Sequence, residues 1–221
     1  MNKTCIRLLV LGFLVMTQWT IRGEEVAVFE DAFSGETLKP GWSWVREEPS
    51  EWRLRDGALE LRAQPGKIWS GNDAKNVMLW APPAEGNFVA EVSVTQKADQ
   101  KWEQVGLLWY AHDDQFVKLI SEFIDGENFV VMARESRDTN EKNQVFAKIP
   151  IPAPDVRLRL EVRGDEVKSL YQLPGSTEWK EAATCALKGR DKARFGLFTQ
   201  NGPAEQVHWA RLKNFRVLRL E

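Results

Sequence analysis

The sequence predicts an all-β protein, built as a sandwich of two antiparallel sheets, and three observations support this fold class. Alternating apolar and polar residues recur along the chain, and no stretch keeps a 3.6-residue apolar period over three turns. Fourteen candidate strands follow one another at short intervals, from Val26–Phe33 to Ala210–Leu220. Turn residues such as Asp125-Gly126 and Gly164-Asp165 separate them. Regularly spaced strands with such turns are typical of sandwiches and barrels.

The clearest hairpin covers residues 156–173 and turns at Gly164-Asp165. Its first strand alternates four apolar residues, Val156, Leu158, Leu160 and Val162, with charged ones. We expect the apolar face in the core and the opposite face in water, as in antiparallel sheets. Three arginines, Arg157, Arg159 and Arg163, lie on that second face. They are predicted to form solvated cross-strand charge pairs, with a ligand surface as the alternative.

Residues 1–23 have the pattern of a secretory signal peptide. Two basic residues precede the apolar segment Leu8–Met16, which is too short to span a bilayer, since a span needs about 20 residues. Cleavage near Gly23 is expected, and an uncleaved N-terminal anchor is the alternative. After cleavage, residues 24–221 form a single domain that is secreted or periplasmic and is not attached to a membrane. We expect a monomer.

Composition argues against several classes of function. Removing the predicted signal peptide removes three of the 30 basic residues and none of the 32 acidic ones, so the net charge changes from −2 to −5. A chain without a basic patch does not favour a nucleic-acid partner. Cys185 is then the only cysteine, so an intrachain disulfide cannot form. Two histidines, His112 and His208, do not favour a multi-histidine zinc site or a Ser–His–acid triad.

Tryptophan is unusually frequent, with ten Trp against two Tyr. In an extracellular all-β protein, such an excess is typical of surfaces on which sugar rings stack, because the flat apolar face of indole matches the C–H face of a pyranose. The alternative is that these large side chains fill the core of the sandwich. Composition alone leaves both interpretations open.

The segment EFIDGE places Glu122, Asp125 and Glu127 within six residues. Retaining glycosidases need two carboxyl groups about 5–5.5 Å apart. Residues on one face of a strand alternate, but Asp125 and Glu127 are odd-numbered steps away from Glu122. Asp125-Gly126 is also a strong hairpin signal. We therefore expect a turn at Asp125, with Glu127 at its rim, and we assign no catalytic residue.

Three consecutive strands are predicted to place a polar constellation on one face of a sheet, away from the core. Its members are Gln104, Tyr110, Lys118, Glu122 and Arg134. Gly106 leaves room there for a ligand or a neighbouring side chain. These residues combine hydrogen-bond donors, acceptors and an aromatic ring, so they are the candidate ligand-binding residues. The alternative is an exposed face with a Lys118–Glu122 ion pair.

The central block QVGLLWYAHDDQFVKLISEFIDGENFVVMARES resembles that of concanavalin A-like sandwich proteins of the "regulation of enolase"-like family, which has no established function. The chain is also similar to the C-terminal domain of family 43 β-xylosidases. The segments PSEWRLRDGALELRAQPGKIW, VRLRLEVRGDEVKSLYQLPGSTEWKE and RFGLFTQN extend the resemblance over residues 24–221. It implies a jelly-roll of two antiparallel sheets with a concave face, and it adds Trp69 as an aromatic residue near a loop of the binding face.

Three functions follow as expectations. The first is a secreted, non-catalytic carbohydrate-binding module whose ligand is a glycan or a cell-wall polysaccharide. The second is a sugar-processing enzyme, because FEDAFSGETLKPGWSW and WRLRDGALEL resemble the opening of 3-keto-disaccharide hydrolase-like proteins; another glycoside hydrolase belongs to this class too. The third is a protein-interaction sandwich with no small ligand. No cofactor is expected, and structural calcium through Asp31, Asp113 or Asp114 is left open.

Overall fold

The computed structural model describes residues 24–137 and 143–221, and this part of the chain consists almost entirely of β-strands. The predicted signal peptide, residues 1–23, lies outside the described residues. The strands are β1 (Glu25–Asp31), β2 (Trp42–Val45), β3 (Trp52–Leu54), β4 (Leu59–Ala63), β5 (Val77–Trp80), β6 (Asn87–Thr95), β7 (Gln104–His112), β8 (Gln115–Ile124), β9 (Glu127–Ser136), β10 (Gln144–Ile151), β11 (Val156–Arg163), β12 (Glu166–Gln172), β13 (Lys180–Ala186), β14 (Arg194–Gln200) and β15 (His208–Leu220).

The strands form two antiparallel sheets, which confirms the predicted sandwich. The eight-stranded sheet has the order β13-β12-β11-β6-β15-β4-β3, and β1 also pairs with β15. The seven-stranded sheet has the order β10-β9-β8-β7-β14-β5-β2. Two short 3₁₀ turns, Pro49–Glu51 and Arg190–Lys192, are the helices of the described residues, and neither has the length or apolar character of a membrane span.

The core lies between the two sheets, where apolar side chains from both inner faces meet. Leu119 and Met132 of the seven-stranded sheet and Leu160 and Val217 of the eight-stranded sheet are fully buried in one cluster. The alternation predicted for β11 is therefore confirmed on its apolar side. Burial of such side chains, at about 1.5–3 kcal/mol each, is the main force that holds the sheets together.

Two features of the sheet edges concern the chain near β1. Strand β1 pairs with β15 and is thereby held at the eight-stranded sheet. Strand β2, which was not among the predicted strands, pairs with β5 so that Trp42 lies opposite Trp80. The Asp31 carboxylate fixes this region, since it accepts hydrogen bonds from the indole of Trp42 at 3.0 Å and from the backbone N–H of Phe33 at 2.9 Å.

The seven-stranded sheet is buried on both faces. On its outer side a second apolar cluster includes Leu108, Ile120 and Phe198, and the loop of residues 64–76 packs over it with Ile68. Backbone hydrogen bonds from Asn201 and Gly202 to the carbonyls of Gly66 and Gln64 hold this loop against the end of β14. Since the loop covers only part of the outer face, a cavity remains beside it.

The outer face of the eight-stranded sheet carries an ionic cluster centred on Glu91. Its carboxylate accepts hydrogen bonds from Arg157, Arg159 and Arg216. Arg159 also pairs with Glu25 at 2.6 Å and with Glu161 at 2.8 Å. The predicted cross-strand charge pairs exist, but the expectation that the arginines are solvated is wrong for Arg159. Its side chain is only 2% exposed, because its partners and the ring of Trp179 surround it.

We expect Gly106→Ala to destabilise the fold. A Cβ atom at this position would lie 2.3 Å from the Leu119 carbonyl oxygen and 2.8 Å from Ile120 Cα, so β7 and β8 would have to move apart. Overpacking of this kind costs about 1–3 kcal/mol in the free energy of unfolding. Urea denaturation measures this loss, and Gly35→Ala, where the new atom has space, is the matched control. Equal stability of the two variants would contradict the prediction.

Glu91→Gln is expected to lower the free energy of unfolding by about 3 kcal/mol at pH 7, because it removes the buried carboxylate that Arg157, Arg159 and Arg216 share. Burial raises the pKa of Glu91, but the hydrogen bond from Arg216 and the charges of Arg157 and Arg159 outweigh it, so the pKa lies below its ordinary value of 4.5. The group therefore stabilises the fold above pH 4.5.

The difference between wild type and Glu91→Gln should hold from pH 7 to about 4.5 and narrow as the pH falls through the lowered pKa of the folded state. Denaturation curves at a series of pH values test this. The control is Arg163→Gln, at an exposed position of the neighbouring strand β11, with a change of about 0.5 kcal/mol or less. A difference that grows below pH 4.5 would refute the assignment.

Candidate functional site

A cavity of about 660 Å³ opens on the outer face of the seven-stranded sheet, between the loop of residues 64–76 and the edge strand β10. Its lining combines lysines, amides, tryptophans and one carboxylate. The lining residues are Lys67, Trp69, Trp102, Gln104, Lys118, Glu122, Ile124, Val131, Ala133, Val145, Lys148, Gln200 and Asn201. Four of the six predicted ligand-binding residues, Trp69, Gln104, Lys118 and Glu122, therefore come together in one cavity.

Strand register explains why three of these residues share the floor. In the β7–β8 pair, Gln104 lies opposite Glu122 and Leu108 lies opposite Lys118. Alternation places these side chains on the same face. The room beside Gly106 is filled by a neighbouring side chain, since Ile120 approaches to 3.0 Å of the position that a Cβ atom would take.

Trp102 forms part of the rim and was not predicted. Its backbone has φ +66°, a left-handed conformation that a bulky residue adopts only when its surroundings enforce it. The enforcing contacts are the hydrogen bond from its N–H to the Phe123 carbonyl at 2.7 Å and the one from Asn201 Nδ2 to its own carbonyl at 3.0 Å. The indole is 55% exposed, so a rigid backbone presents a large apolar face at the mouth of the cavity.

The amide of Gln104 organises the polar floor. Its Oε1 accepts hydrogen bonds from Lys118 Nζ and Gln200 Nε2, both at 2.9 Å. Its Nε2 donates to Glu122 Oε1. Gln200 in turn accepts a hydrogen bond from the backbone N–H of Ile68 at 2.9 Å, which ties the covering loop to the network. The predicted Lys118–Glu122 ion pair is thus replaced by a contact through the Gln104 amide.

Burial disfavours the charged forms of both Lys118 and Glu122 on the cavity floor. Desolvation lowers the pKa of Lys118 to about 8, against the opposing effect of Glu122 and Glu135. Desolvation also raises the pKa of Glu122, and the charge of Lys118 and the hydrogen bond from Gln104 offset this only in part. The Lys118 amine lies 5.0 Å from the ring centre of Trp69, a cation–π contact across the cavity.

Glu135 is a second buried acid near Lys118, and it does not line the cavity. Its carboxylate accepts a hydrogen bond from the Ser70 backbone N–H at 2.8 Å and lies 2.7 Å from the Arg137 guanidinium. It therefore anchors the covering loop to β9. Sequence reasoning missed it because β9 was assigned to the wrong faces.

Arg134 is placed on the opposite face from the cavity, so the prediction that it joins the constellation is wrong. In the β8–β9 pair, Lys118 lies opposite Ala133, and Arg134 projects to the other side. Its guanidinium donates to the Ala186 carbonyl at 2.8 Å and lies 5.4 Å from the Phe146 ring. The error arises because β9 is apolar on both faces and alternation cannot assign them.

Tyr110 lies on the predicted face but outside the cavity lining. Its hydroxyl donates to Asp113 at 2.9 Å, and Arg46 holds the same carboxylate with two hydrogen bonds at 2.6 and 2.9 Å. Burial and the charge of Asp113 raise the pKa of Tyr110, so the phenol stays protonated. These contacts give Tyr110 a structural role at the turn between β7 and β8.

The three carboxylates considered for calcium already have protein partners. Asp31 binds the N–H groups around β1, and Asp113 pairs with Arg46. Asp114 lies 3.2 Å from the Arg137 guanidinium. A carboxylate held by a guanidinium is a poor ligand for a cation. Asp113 and Asp114 are therefore engaged by arginines, and Asp31 by N–H donors.

Among the described residues, another group of metal-ligating side chains lies at Asp99, Glu103 and His208. The Nδ1 atom of His208 is 3.0 Å from the buried Glu103 carboxylate, and its Nε2 atom is 3.8 Å from Asp99. Burial raises the pKa of Glu103, and His208 opposes this shift. Because Glu103 and His208 satisfy each other, the group also has a purely structural use: it joins the start of β7 to the start of β15.

The acids beside Glu122 belong to the hairpin, as predicted. Asp125 and Gly126 have φ +51° and +92°, which is the conformation of a tight two-residue turn. Asp125 pairs with Lys101 at 2.8 Å, and Glu127 begins β9. Glu122 is consequently the one carboxylate among the described residues that line the cavity. A two-carboxylate glycosidase site is not assembled there.

The two sheets and the cavity on the outer face define a concanavalin A-like sandwich. The chain belongs to the family of β-xylosidase C-terminal concanavalin A-like domains, whose model matches residues 30–218. This confirms the predicted similarity to the C-terminal domain of family 43 β-xylosidases. No curated protein matches the chain.

Solved structures share the fold at low sequence identity. The GH43 protein BlXynB from Bacillus licheniformis is 18% identical with a TM-score of 0.74, over 86% of this chain and 39% of that one. A xylan β-1,4-xylosidase from Bacillus halodurans C-125 is 16% identical with a TM-score of 0.72, over 85% and 38%. The chain thus spans less than half the length of these proteins.

A third neighbour consists of the sandwich alone. The CBM2 module of the evolved Dit from Lactobacillus casei BL23 phage J-1 is 10% identical with a TM-score of 0.60, over 90% of this chain and 98% of that one. At these identities the likeness concerns the fold.

The Lys118 amine is expected to titrate at about pH 8, and Glu122→Gln should lower its pKa further, because the carboxylate favours the charged amine. NMR of ¹³C-labelled lysine measures this titration, and Lys118→Met identifies the signal by removing it. The prediction fails when Glu122→Gln leaves the titration unchanged or moves it upward.

Proposed function

We propose that the protein is a secreted or periplasmic, non-catalytic module that binds a glycan in the cavity on its seven-stranded sheet. The observation that carries this proposal is the arrangement of the lining: Trp69 and Trp102 offer apolar faces around a floor of fixed hydrogen-bonding groups from Gln104, Lys118 and Glu122. Sugar rings present apolar C–H faces and directional hydroxyl groups, so they match both parts of this surface.

The size and rigidity of the site support small-ligand binding over the alternative of a sandwich that contacts only proteins. A cavity of about 660 Å³ lies within the range of about 300–1,000 Å³ that is typical of ligand sites. The Gln104 amide cannot rotate without losing its contacts to Lys118, Gln200 and Glu122. Groups fixed before binding lose less entropy when the ligand arrives.

The chemistry of the cavity favours binding over hydrolysis. General acid–base hydrolysis of a glycoside needs a second carboxyl group near the first. Glu122 has no such partner among the described lining residues, and one of its oxygens is engaged by Gln104. Membership in the family of β-xylosidase C-terminal domains supports a carbohydrate-related role. We further propose that the domain acts as a monomer, with residues 1–23 as its export signal.

Binding to a panel of soluble plant and bacterial polysaccharides, measured by affinity electrophoresis, tests this function. We expect retardation by at least one polysaccharide. Trp102→Ala should weaken it about two- to tenfold, because stacking on an aromatic face contributes about 0.5–1.5 kcal/mol. Gln104→Ala should weaken it as well, because it removes the group that orients Lys118 and Glu122.

The matched control is Trp179→Ala, which removes an indole from the outer face of the other sheet, where it contacts Arg157 and Arg159. Its binding should equal that of wild type. Loss of binding in the control, or full binding by both cavity variants, would place the ligand elsewhere. Failure to bind any polysaccharide would refute the proposal.

A further inference from the structure

The charge of the cavity lining is strongly unbalanced. Three lysines, Lys67, Lys118 and Lys148, line it, and Glu122 is the one acid among the described lining residues. This excess is notable in an acidic chain, whose sequence pI is about 5.9. The cavity lining therefore carries a net positive charge, although the chain as a whole is acidic.

The lysines are arranged from the floor to the rim. Lys118 is 4% exposed, and its amine donates one hydrogen bond to Gln104 Oε1 and lies against Trp69. An ammonium group has three N–H donors, so it retains capacity for a ligand. Lys148 is exposed on β10, with its amine 4.3 Å from the ring centre of Phe129, and Lys67 is exposed on the covering loop. The lysines therefore face the cavity from its floor, from the covering loop and from β10.

These amines lack carboxylate partners of their own. Within residues 24–137 and 143–221, no carboxylate lies within 4.0 Å of the amines of Lys67, Lys118 or Lys148. Glu122 directs one oxygen to the Gln104 amide, and Glu135 is sealed beneath the loop by Ser70 and Arg137. Three lysines against one carboxylate leave the lining with a net positive charge, and an anionic ligand would offset this excess.

We propose that the ligand of this cavity is an anionic saccharide, whose acid group binds the amine of Lys118 while its neighbouring sugar rings contact Trp69 and Trp102. This inference rests on the proposed function and names its ligand class. A uronic acid carboxylate and a sugar sulfate share the required chemistry. Both accept charge-assisted hydrogen bonds from ammonium groups, which are about twice as strong as neutral ones.

The test is isothermal titration calorimetry with three oligosaccharides: a xylo-oligosaccharide carrying one glucuronic acid, the same compound with its carboxyl group reduced to an alcohol, and a sulfated oligosaccharide of equal length. The acidic compound should bind at least tenfold more tightly than its reduced form, because a charge-assisted hydrogen bond is lost on reduction. This preference should shrink in 0.5 M NaCl, since part of it is electrostatic.

Lys118→Met should abolish the preference, so that the acidic and the reduced compound bind this variant with equal affinity. Because Lys118 is buried, the variant Lys67→Ala/Lys148→Ala, which changes exposed residues only, provides an independent test and should reduce the preference severalfold. The control Lys213→Ala, at an exposed position of the opposite sheet, should retain it fully.

The outcomes distinguish failure of the anionic ligand from failure of glycan binding itself. Equal binding of the acidic and reduced compounds overturns the anionic ligand and leaves glycan binding intact. Binding of none of the three, and of no polysaccharide in the panel above, overturns both. Preference for the sulfated compound over the glucuronic acid compound supports an anionic ligand and identifies sulfate as its acid group.

Discussion

The side-chain amide of Gln104 is the contact on which the site depends. A lysine ammonium group can only donate hydrogen bonds, so the Gln104 atom that meets Lys118 must be the oxygen. The nitrogen of the amide then faces Glu122, and the Gln200 amide must point its own nitrogen at the same oxygen. Gln200 is left with its oxygen toward the Ile68 N–H. One buried lysine thereby fixes the direction of every hydrogen bond from the floor to the covering loop.

The covering loop explains why such polar groups are tolerated on a buried face. Burying an amide or a charge without partners costs several kcal/mol. The loop of residues 64–76 excludes water from part of the sheet with Ile68 and Trp69, and it supplies backbone N–H groups to Gln200 and Glu135. The same loop therefore covers the sheet with apolar side chains and supplies hydrogen-bond donors to its buried polar groups. The cavity exists where this cover ends.

The sequence predicts the sandwich, the hairpins and the floor of the site because these depend on local patterns. Alternation along β7 and β8 correctly places Gln104, Lys118 and Glu122 on one face. Arg134 was misplaced because β9 is apolar on both sides. The two-residue turn at Asp125-Gly126 determines which face of β9 each residue occupies. It pairs Ile124 with Glu127, so odd-numbered residues of β9 lie beside even-numbered residues of β8.

Other parts of the site depend on contacts between distant segments, which no local pattern shows. Gln200 joins the site through Gln104, 96 residues earlier, and Ser70 meets Glu135 across 65 residues. Lys148 and Val145 line the same cavity although they differ in parity, because a register shift between Val145 and Ala147 turns the strand. The strained backbone of Trp102 likewise follows from its hydrogen bonds to Phe123 and Asn201.

The two outer faces of the sandwich differ in how their charged side chains are paired. On the eight-stranded sheet, Arg159 is matched by Glu25, Glu91 and Glu161, so its positive charge is neutralised within the protein. Cross-strand ion pairs of this kind join neighbouring strands, and they leave little net charge to attract a charged ligand. On the seven-stranded sheet, Lys118 contacts a neutral amide, and its two lysine neighbours add charge of the same sign. The net positive charge of this lining would favour the anionic ligand proposed above, and it surrounds the cavity of about 660 Å³.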